Sequence, residues 1–301
     1  MATRVVSISQ STPLIHHRPP STSRTSLSSH LSPSPTTSTF TTLFRPSQSL
    51  GSRKIFQRNA VDGSSPDSLR STVYNGSYGP WKIDESDVRE VILYRSGLVS
   101  AASAFVIAAS SAFLSGNTWF REIIEQNLDV LYGIGAGGLG LSLILIHIYV
   151  TEIKRTLQAL WLLGIIGSIA TDFIYARPAE LSLVEYVVQN PWSVWFVGPL
   201  FASLTGLVFK EGLCYGKLEA GILTFVIPTV LLGHLTGIMD DSVKVALLGS
   251  WMALFVIFAG RKFTQPIKDD IGDKSVFMFN SLSENDKQVL LEKLEKQKSQ
   301  E

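Results

Sequence analysis

Six apolar stretches dominate the chain, at about residues 98–115, 128–150, 157–176, 193–209, 218–237 and 243–260, each separated from the next by a short polar or Gly- and Pro-containing run. At a rise of about 1.5 Å per residue, each is long enough to cross a hydrocarbon core of about 30 Å with modest tilt. So many such segments in quick succession argue against a soluble bundle of buried helices. Ahead of them, "STVYNGSYGPWKIDESD" carries the breakers Gly76, Gly79 and Pro80 and reads as irregular. It leads into "DVREVILYRSGL", which starts as an amphipathic helix with Asp87 as its expected N-cap. Behind them, "SENDKQVLLEKLEKQKSQE" reads as a capped, charged helix with Val289, Leu290, Leu291 and Leu294 on its apolar side. The expected fold is all-α, a polytopic bundle of six transmembrane helices.

The connections predict an orientation. Arg89, Arg95, Lys154, Arg155, Lys210, Lys217, Arg261 and Lys262 fall on the side of the N-terminus; Arg121, Arg177 and Lys244 fall opposite. Short loops rich in Lys and Arg stay on the inner side of a membrane, so both termini are expected there. Trp119, Trp192, Trp195 and Trp251 lie near the expected boundaries or just inside them, as interfacial anchors do.

Composition changes the picture at one end. Residues 1–60 hold 14 Ser and 9 Thr, seven Lys or Arg and no acid, Asp62 being the first. That is the make-up of an organellar transit peptide, without the apolar core of a secretory signal, and Ala2 with the Ser/Thr bias favours the chloroplast. The alternative is a low-complexity tail that stays on the mature protein. Processing is expected near Arg58 to Gly63. The chain thus divides into a transit peptide (1–60), a stromal segment with a short amphipathic helix (61–96), a membrane domain (97–260) and a stromal tail with a charged helix (261–301). Both termini then face the stroma.

A net charge of +1 gives no basic footprint for nucleic acid. One cysteine, Cys214, rules out an internal disulfide or a CxxC pair.

Candidate chemistry centres on "FKEGLCYGKLEAG" (209–221), the connection between spans four and five. Lys210, Glu211, Cys214, Lys217 and Glu219 lie close together in it. As a helix it would place Glu211, Tyr215 and Glu219 on one stripe, but Gly212 and Gly216 weaken that reading. As an interfacial hairpin it lets Lys210 and Lys217 snorkel to headgroups and puts Glu219 at the start of span five. A sharper reading adds His147 and Glu152 at a similar depth: imidazole, thiolate and carboxylates that together could hold a transition metal or bond a cofactor, though no fixed ligand spacing supports it. A protein-docking surface is the third option.

Asp172 in span three and His234 in span five are ionisable groups inside the membrane, which makes each a functional candidate. As a pair they would respond to lumenal pH; otherwise Asp172 is hydrated at the interface and His234 bonds a neighbouring helix. Gly133, Gly135 and Gly138 make a literal GxGxxG, rejected as a dinucleotide site because no strand precedes it. These glycines are expected to serve close helix packing, as are Ser100, Ala104, Ala108 and Ala112, and Gly164 with Ser168. Pro228 is expected to kink or loosen span five. No catalytic set and no identifiable cofactor emerge.

The motifs "YGPW" (78–81), "DVREVILYRSGL" (87–98) and "FKEGLCYGKLEA" (209–220), on a six-span frame, resemble an integral membrane family of cyanobacteria and plastids known only as a domain of unknown function. The resemblance covers roughly residues 74 to 265. It implies a photosynthetic membrane, the thylakoid ahead of the inner envelope, and brings no activity. The partners it leaves are the lipid bilayer and subunits of a thylakoid complex, and the function expected is assembly, stability or scaffolding. A small solute or ion transporter is the alternative, and a membrane cofactor- or metal-binding protein the third.

Overall fold

The computed structural model of the protein describes residues 72–114, 116 and 118–299, so the transit segment expected at 1–60 lies outside the described residues. The first element corrects the irregular reading of the stretch before the spans. It is an antiparallel hairpin, β1 (Tyr74–Gly76) and β2 (Gly79–Trp81), with Tyr74 opposite Trp81. The Gly and Pro residues that look like breakers flank a tight reversal at Ser77 and Tyr78, where a short strand pair tolerates them.

Helix α1 (Glu85–Ser110) begins earlier than expected. Asp84, not Asp87, holds the extended N-cap conformation, and Asp87 stands at the third helical position with Oδ2 accepting the Asp84 N–H at 2.8 Å. The acid three residues in therefore satisfies the backbone of the cap.

The chain continues through a short amphipathic helix, α2 (Trp119–Gln126), then α3 (Leu128–Leu145) and α4 (Thr151–Thr171). A π-helical turn (Asp172–Ala176) and a 3-10 turn (Arg177–Ala179) extend α4. After α5 (Leu183–Gln189) come α6 (Val194–Tyr215), α7 (Leu218–Thr236) and α8 (Asp241–Arg261). The short helices α9 (Ile267–Ile271) and α10 (Lys274–Asn280) precede the charged α11 (Glu284–Lys298).

Among the described residues six helical segments are long and apolar enough to cross a membrane: Glu85–Phe113, Leu128–Leu145, Thr151–Ala179, Pro191–Tyr215, Leu218–Thr236 and Asp241–Arg261. They pack as a ring in the order α3, α1, α8, α7, α6, α4, with a looser seam where α4 returns to α3. Their outer faces are apolar, as Leu162, Leu163, Ile166 and Ile169 on α4 illustrate, all exposed. Such surface suits lipid and would be unstable in water. The hairpin and the helices after α8 share one face of the bundle, the proximal face; α2 and α5 lie at the distal one.

Small residues set the closest crossing. A Cβ on Gly97 would collide with the Gly138 carbonyl and the Ser142 hydroxyl, so α1 and α3 touch backbone to backbone. Ser142 Oγ donates across this contact to the Tyr94 carbonyl at 3.0 Å. Gly135 and Gly138 face α1, and Gly164 packs on Leu200 of α6, as close helix packing requires. Gly133 faces open space instead. Helix α7 is continuous through Pro228. Trp251 is no interfacial anchor: it is 2% exposed, at the middle of α8, stacked on Phe105.

Candidate functional site

The motif between spans four and five folds as a helix end, a two-residue reversal at Gly216 and Lys217, and a helix start. Helix α6 runs to Tyr215, Gly216 takes the left-handed conformation at φ +60°, and α7 begins at Leu218. Only glycine adopts that C-cap without a steric penalty. The reversal also breaks the stripe, so Glu219 does not continue the face of Glu211 and Tyr215.

Snorkelling of Lys210 and Lys217 is corrected by their geometry. Both ammonium groups turn inward to Glu211, whose side chain is fully buried: Lys210 Nζ lies 3.2 Å from Oε1 and Lys217 Nζ 2.7 Å from Oε2. Lys262, from the end of α8, adds a third contact at 2.8 Å to Oε2, and the Tyr94 hydroxyl of α1 donates to Oε1 at 2.9 Å. A buried carboxylate is tolerated only when paired and hydrogen-bonded, and four donors meet that demand here. Lys217 lies just outside the spans, and burial pulls its ammonium below the usual lysine range while Glu211 opposes this.

The network extends beyond the motif. Lys262 Nζ also lies 2.6 Å from Asp270 Oδ1 in α9, and Arg95 Nε donates to Asp270 Oδ2 at 2.6 Å. Gln265 Nε2 donates to Asp270 Oδ1 at 3.1 Å, and Lys217 donates to Gln265 Oε1. Four cations (Arg95, Lys210, Lys217, Lys262) thus meet two carboxylates (Glu211, Asp270). The excess positive charge rests partly on aromatic faces: Lys262 lies 5.1 Å from the centre of the Tyr94 ring and Lys210 4.7 Å from that of Tyr215. Asp269, beside Asp270, is pushed above its ordinary value by burial and by its neighbour's charge.

Helices α9 and α10 close over this centre as a clasp. Asp273 Oδ2 accepts the Ser77 N–H of the hairpin at 2.7 Å, and Ser275 Oγ accepts that of Tyr78 at 3.1 Å. The Tyr78 and Phe279 rings stack at 3.9 Å. Lys274 Nζ lies 2.7 Å from both Asp84 and Asp87 at the start of α1. Tyr149, in the linker after α3, accepts the Asp273 N–H at 2.5 Å. Asp270, Asp273, Lys274 and Ser275 were missed by sequence reasoning. The Gly272-Asp273 break between two short helical runs was the signal available, but nothing local ties it to Glu211.

The remaining candidates are dispersed. His147 faces Glu90 at 3.6 Å and the Phe277 ring, and burial lowers its imidazole below the ordinary value, with Glu90 opposing. Glu152 is exposed in the first turn of α4, and Cys214 is exposed. Glu219 does stand in the first turn of α7, 5% exposed, with Oε1 2.8 Å from Arg261 Nε. That contact is an electrostatic pair off the hydrogen-bond direction, since Oε1 accepts no hydrogen bond among the described residues. The structure does not assemble His147, Glu152, Glu211, Cys214 and Glu219 into one ligand set. Among the described residues no group of three or more His, Cys, Asp or Glu is placed to hold a metal ion.

Asp172 and His234 are each engaged at the distal end. Asp172 Oδ2 lies 2.8 Å from Arg177 Nε across the π turn, and His234 Nε2 lies 3.0 Å from the Val187 carbonyl of α5. Asp172 and Arg177 border a cleft of about 410 Å³ at the seam of α3 and α4, together with Asp129, Tyr132 and Ser168. Added Cβ atoms on Gly133 and Gly137 would meet nothing there. Deeper in the seam, Trp161 Nε1 donates to the Ala136 carbonyl at 2.9 Å and Gln158 to that of Leu143 at 3.1 Å, so α4 side chains bridge what the helices leave open.

Residues 141–279 match a family described as "Uncharacterized integral membrane protein (DUF2301)". The match includes the Glu211 motif and the clasp helices α9 and nearly all of α10; "YGPW" and "DVREVILYRSGL" lie ahead of it. No curated protein and no solved structure matches the chain. The chain is accordingly an integral membrane protein that resembles this family over residues 141–279.

Proposed function

We propose that this integral membrane protein is a non-enzymatic assembly or stability factor for a membrane complex of the plastid, in the thylakoid. The observation that carries the reading is the Glu211 centre. Its charges are engaged by partners from α1, α6, α8, α9 and the turn before α7, all within the same chain. Such a centre fixes the ends of several spans under a folded extramembrane clasp, which suits a rigid platform better than a reacting group. The plastid location rests on the composition of residues 1–60 and on the resemblance to a photosynthetic membrane family.

The test is native-gel separation of plastid membranes with and without the protein, probing the complexes and the protein's own migration. Loss of one complex, with comigration, is the expected result. Unchanged complexes, with the protein migrating alone, would sink the assembly reading.

A second reading, solute or ion transport, draws on the cleft of α3 and α4. It has carboxylates at its distal end, a glycine-lined wall and an adjoining π turn, an irregularity frequent at functional sites. Flux through reconstituted wild-type protein that falls in Asp172→Asn would favour it; absence of flux in the wild type would remove it.

A further inference from the structure

A second cavity, of about 290 Å³, lies inside the ring beside the cleft, with Tyr132 and Ala136 of α3 bordering both. Ala101, Ala104 and Ala108 of α1, with Ala112 of the 3-10 turn that follows it (Ser111–Phe113), form one wall, facing Phe201 of α6 and Leu248 and Phe255 of α8. The small-residue stripe expected to seat a helix is thus only partly used that way. Ala104 lies near Gly135, while Ala108 and Ala112 face open volume. The cavity reaches from Phe255, 1% exposed, to Val188 of α5, 64% exposed, so its mouth is near the distal face.

Size and shape restrict the occupant. An apolar cavity of about 150 Å³ admits benzene, so this one has room for about twice that volume. The wall from Ala101 to Ala112 covers eleven residue steps, about 16 Å of helix. An apolar slot of that length suits an extended hydrocarbon chain. The lining offers little to a polar ligand, because the Tyr132 hydroxyl is already bonded to Ser168 Oγ at 2.5 Å. Beside the cavity, Trp251 packs on its lining rings Phe105 and Phe201, and its buried Nε1 has no acceptor among the described residues.

We propose that this cavity binds a hydrocarbon chain, the acyl chain of a lipid or the isoprenoid tail of a lipophilic cofactor, entering from the distal leaflet beside Val188. In a bilayer the chain gains little from leaving water. Its binding comes from filling a void whose lining otherwise lacks dispersion contacts.

The experiment uses the full chain in phosphatidylcholine nanodiscs with a trace of fatty acid bearing a mid-chain diazirine. After irradiation, labelled peptides are mapped with and without excess unlabelled fatty acid. Saturable labelling of residues 101–112 and of the facing parts of α6 and α8 is expected. Ala108→Leu should reduce it roughly ten-fold while leaving labelling of the exposed α4 face unchanged. If Ala108→Leu does not accumulate, Leu248→Phe fills the same space from the opposite wall. Mass spectrometry of the organic extract distinguishes an acyl lipid from an isoprenoid, either of which supports the site. Labelling confined to the outer faces, cavity labelling indifferent to the filling variants, or a bound fused-ring compound would overturn it.

Discussion

The ammonium of Lys262, at the end of the sixth span, lies 2.8 Å from the carboxylate of Glu211, near the end of the fourth, with both side chains at most 1% exposed. Removing Lys262 takes one of three ammonium groups from Glu211 and one of two cations from Asp270, and the remaining donors hold both carboxylates less well. Lys262→Met should therefore lower stability by about 1.5–3 kcal/mol. Thermal unfolding in detergent should also show the double variant Lys262→Met with Glu211→Gln losing less than the sum of the two single losses. Additive losses would mean that the two groups are not coupled.

Asp270 joins α9 to this centre through Lys262 and Arg95. In Asp270→Asn the clasp should open while the spans stay folded. Limited proteolysis should then cut residues 262–283 faster, with little change in the membrane-embedded fragments. Equal protection of wild type and variant would show that the clasp is held by other contacts.

The clasp should loosen at both extremes of pH. Asp273, although burial acts against its charge, is held below its ordinary value of 3.8 by hydrogen bonds from Ser275 and Ser77. A depressed folded value means a contribution present above 3.8 and lost as pH falls through the lower folded value. Lys274, again against burial, is held above its ordinary value of 10.5 by Asp84 and Asp87, so its contribution is present below 10.5 and lost as pH rises through the higher folded value. Spin labels at Asn75 and Met278 should report one short distance between these limits and a broadening distribution beyond either. A distribution that is constant with pH would contradict this.

Gly97 and Gly138 let α1 and α3 touch along their backbones. Gly97→Ala places a methyl group where the Gly138 carbonyl stands and should destabilise by about 1–3 kcal/mol or more. The readout is loss of thermal stability, or of accumulation in membranes. Gly133→Ala, which meets open space, is the control expected to be neutral.

Cys214 is the sole cysteine, is exposed, and lies at the proximal end of α6. An impermeant maleimide should label it in sealed vesicles only when the proximal face is outward, the face that the positive-inside pattern assigns to the inner side of the membrane. Labelling from the opposite side would reverse the orientation.

Some of this architecture can be read along the chain and some cannot. A span announces itself because every backbone polar group in lipid must be satisfied within the helix, which leaves a long uninterrupted apolar run. The Ser283 cap of α11 is similarly local, its hydroxyl accepting the Asp286 N–H at 3.3 Å. The same view misplaced Lys210, Lys217 and Trp251. A lysine beside a boundary has the same sequence signature whether it snorkels outward or turns to a buried acid, and a tryptophan in a span gives no sign of the ring it will stack on.

What the sequence determined by itself is the six spans, some of the glycines at their crossings (Gly135, Gly138 and Gly164, but not Gly97), and the composition of the segment ahead of them, since each depends on residues within a few turns of one another. The tertiary structure alone decided that Glu211 is buried among lysines, that α9 and α10 fold back onto the hairpin, and that part of the alanine stripe of α1 borders a cavity. Partners such as Tyr94 and Glu211, 117 residues apart, meet only when the ring of helices closes. The energy of a buried charge, or of an unfilled space, belongs to that closed arrangement and to no local stretch of the chain.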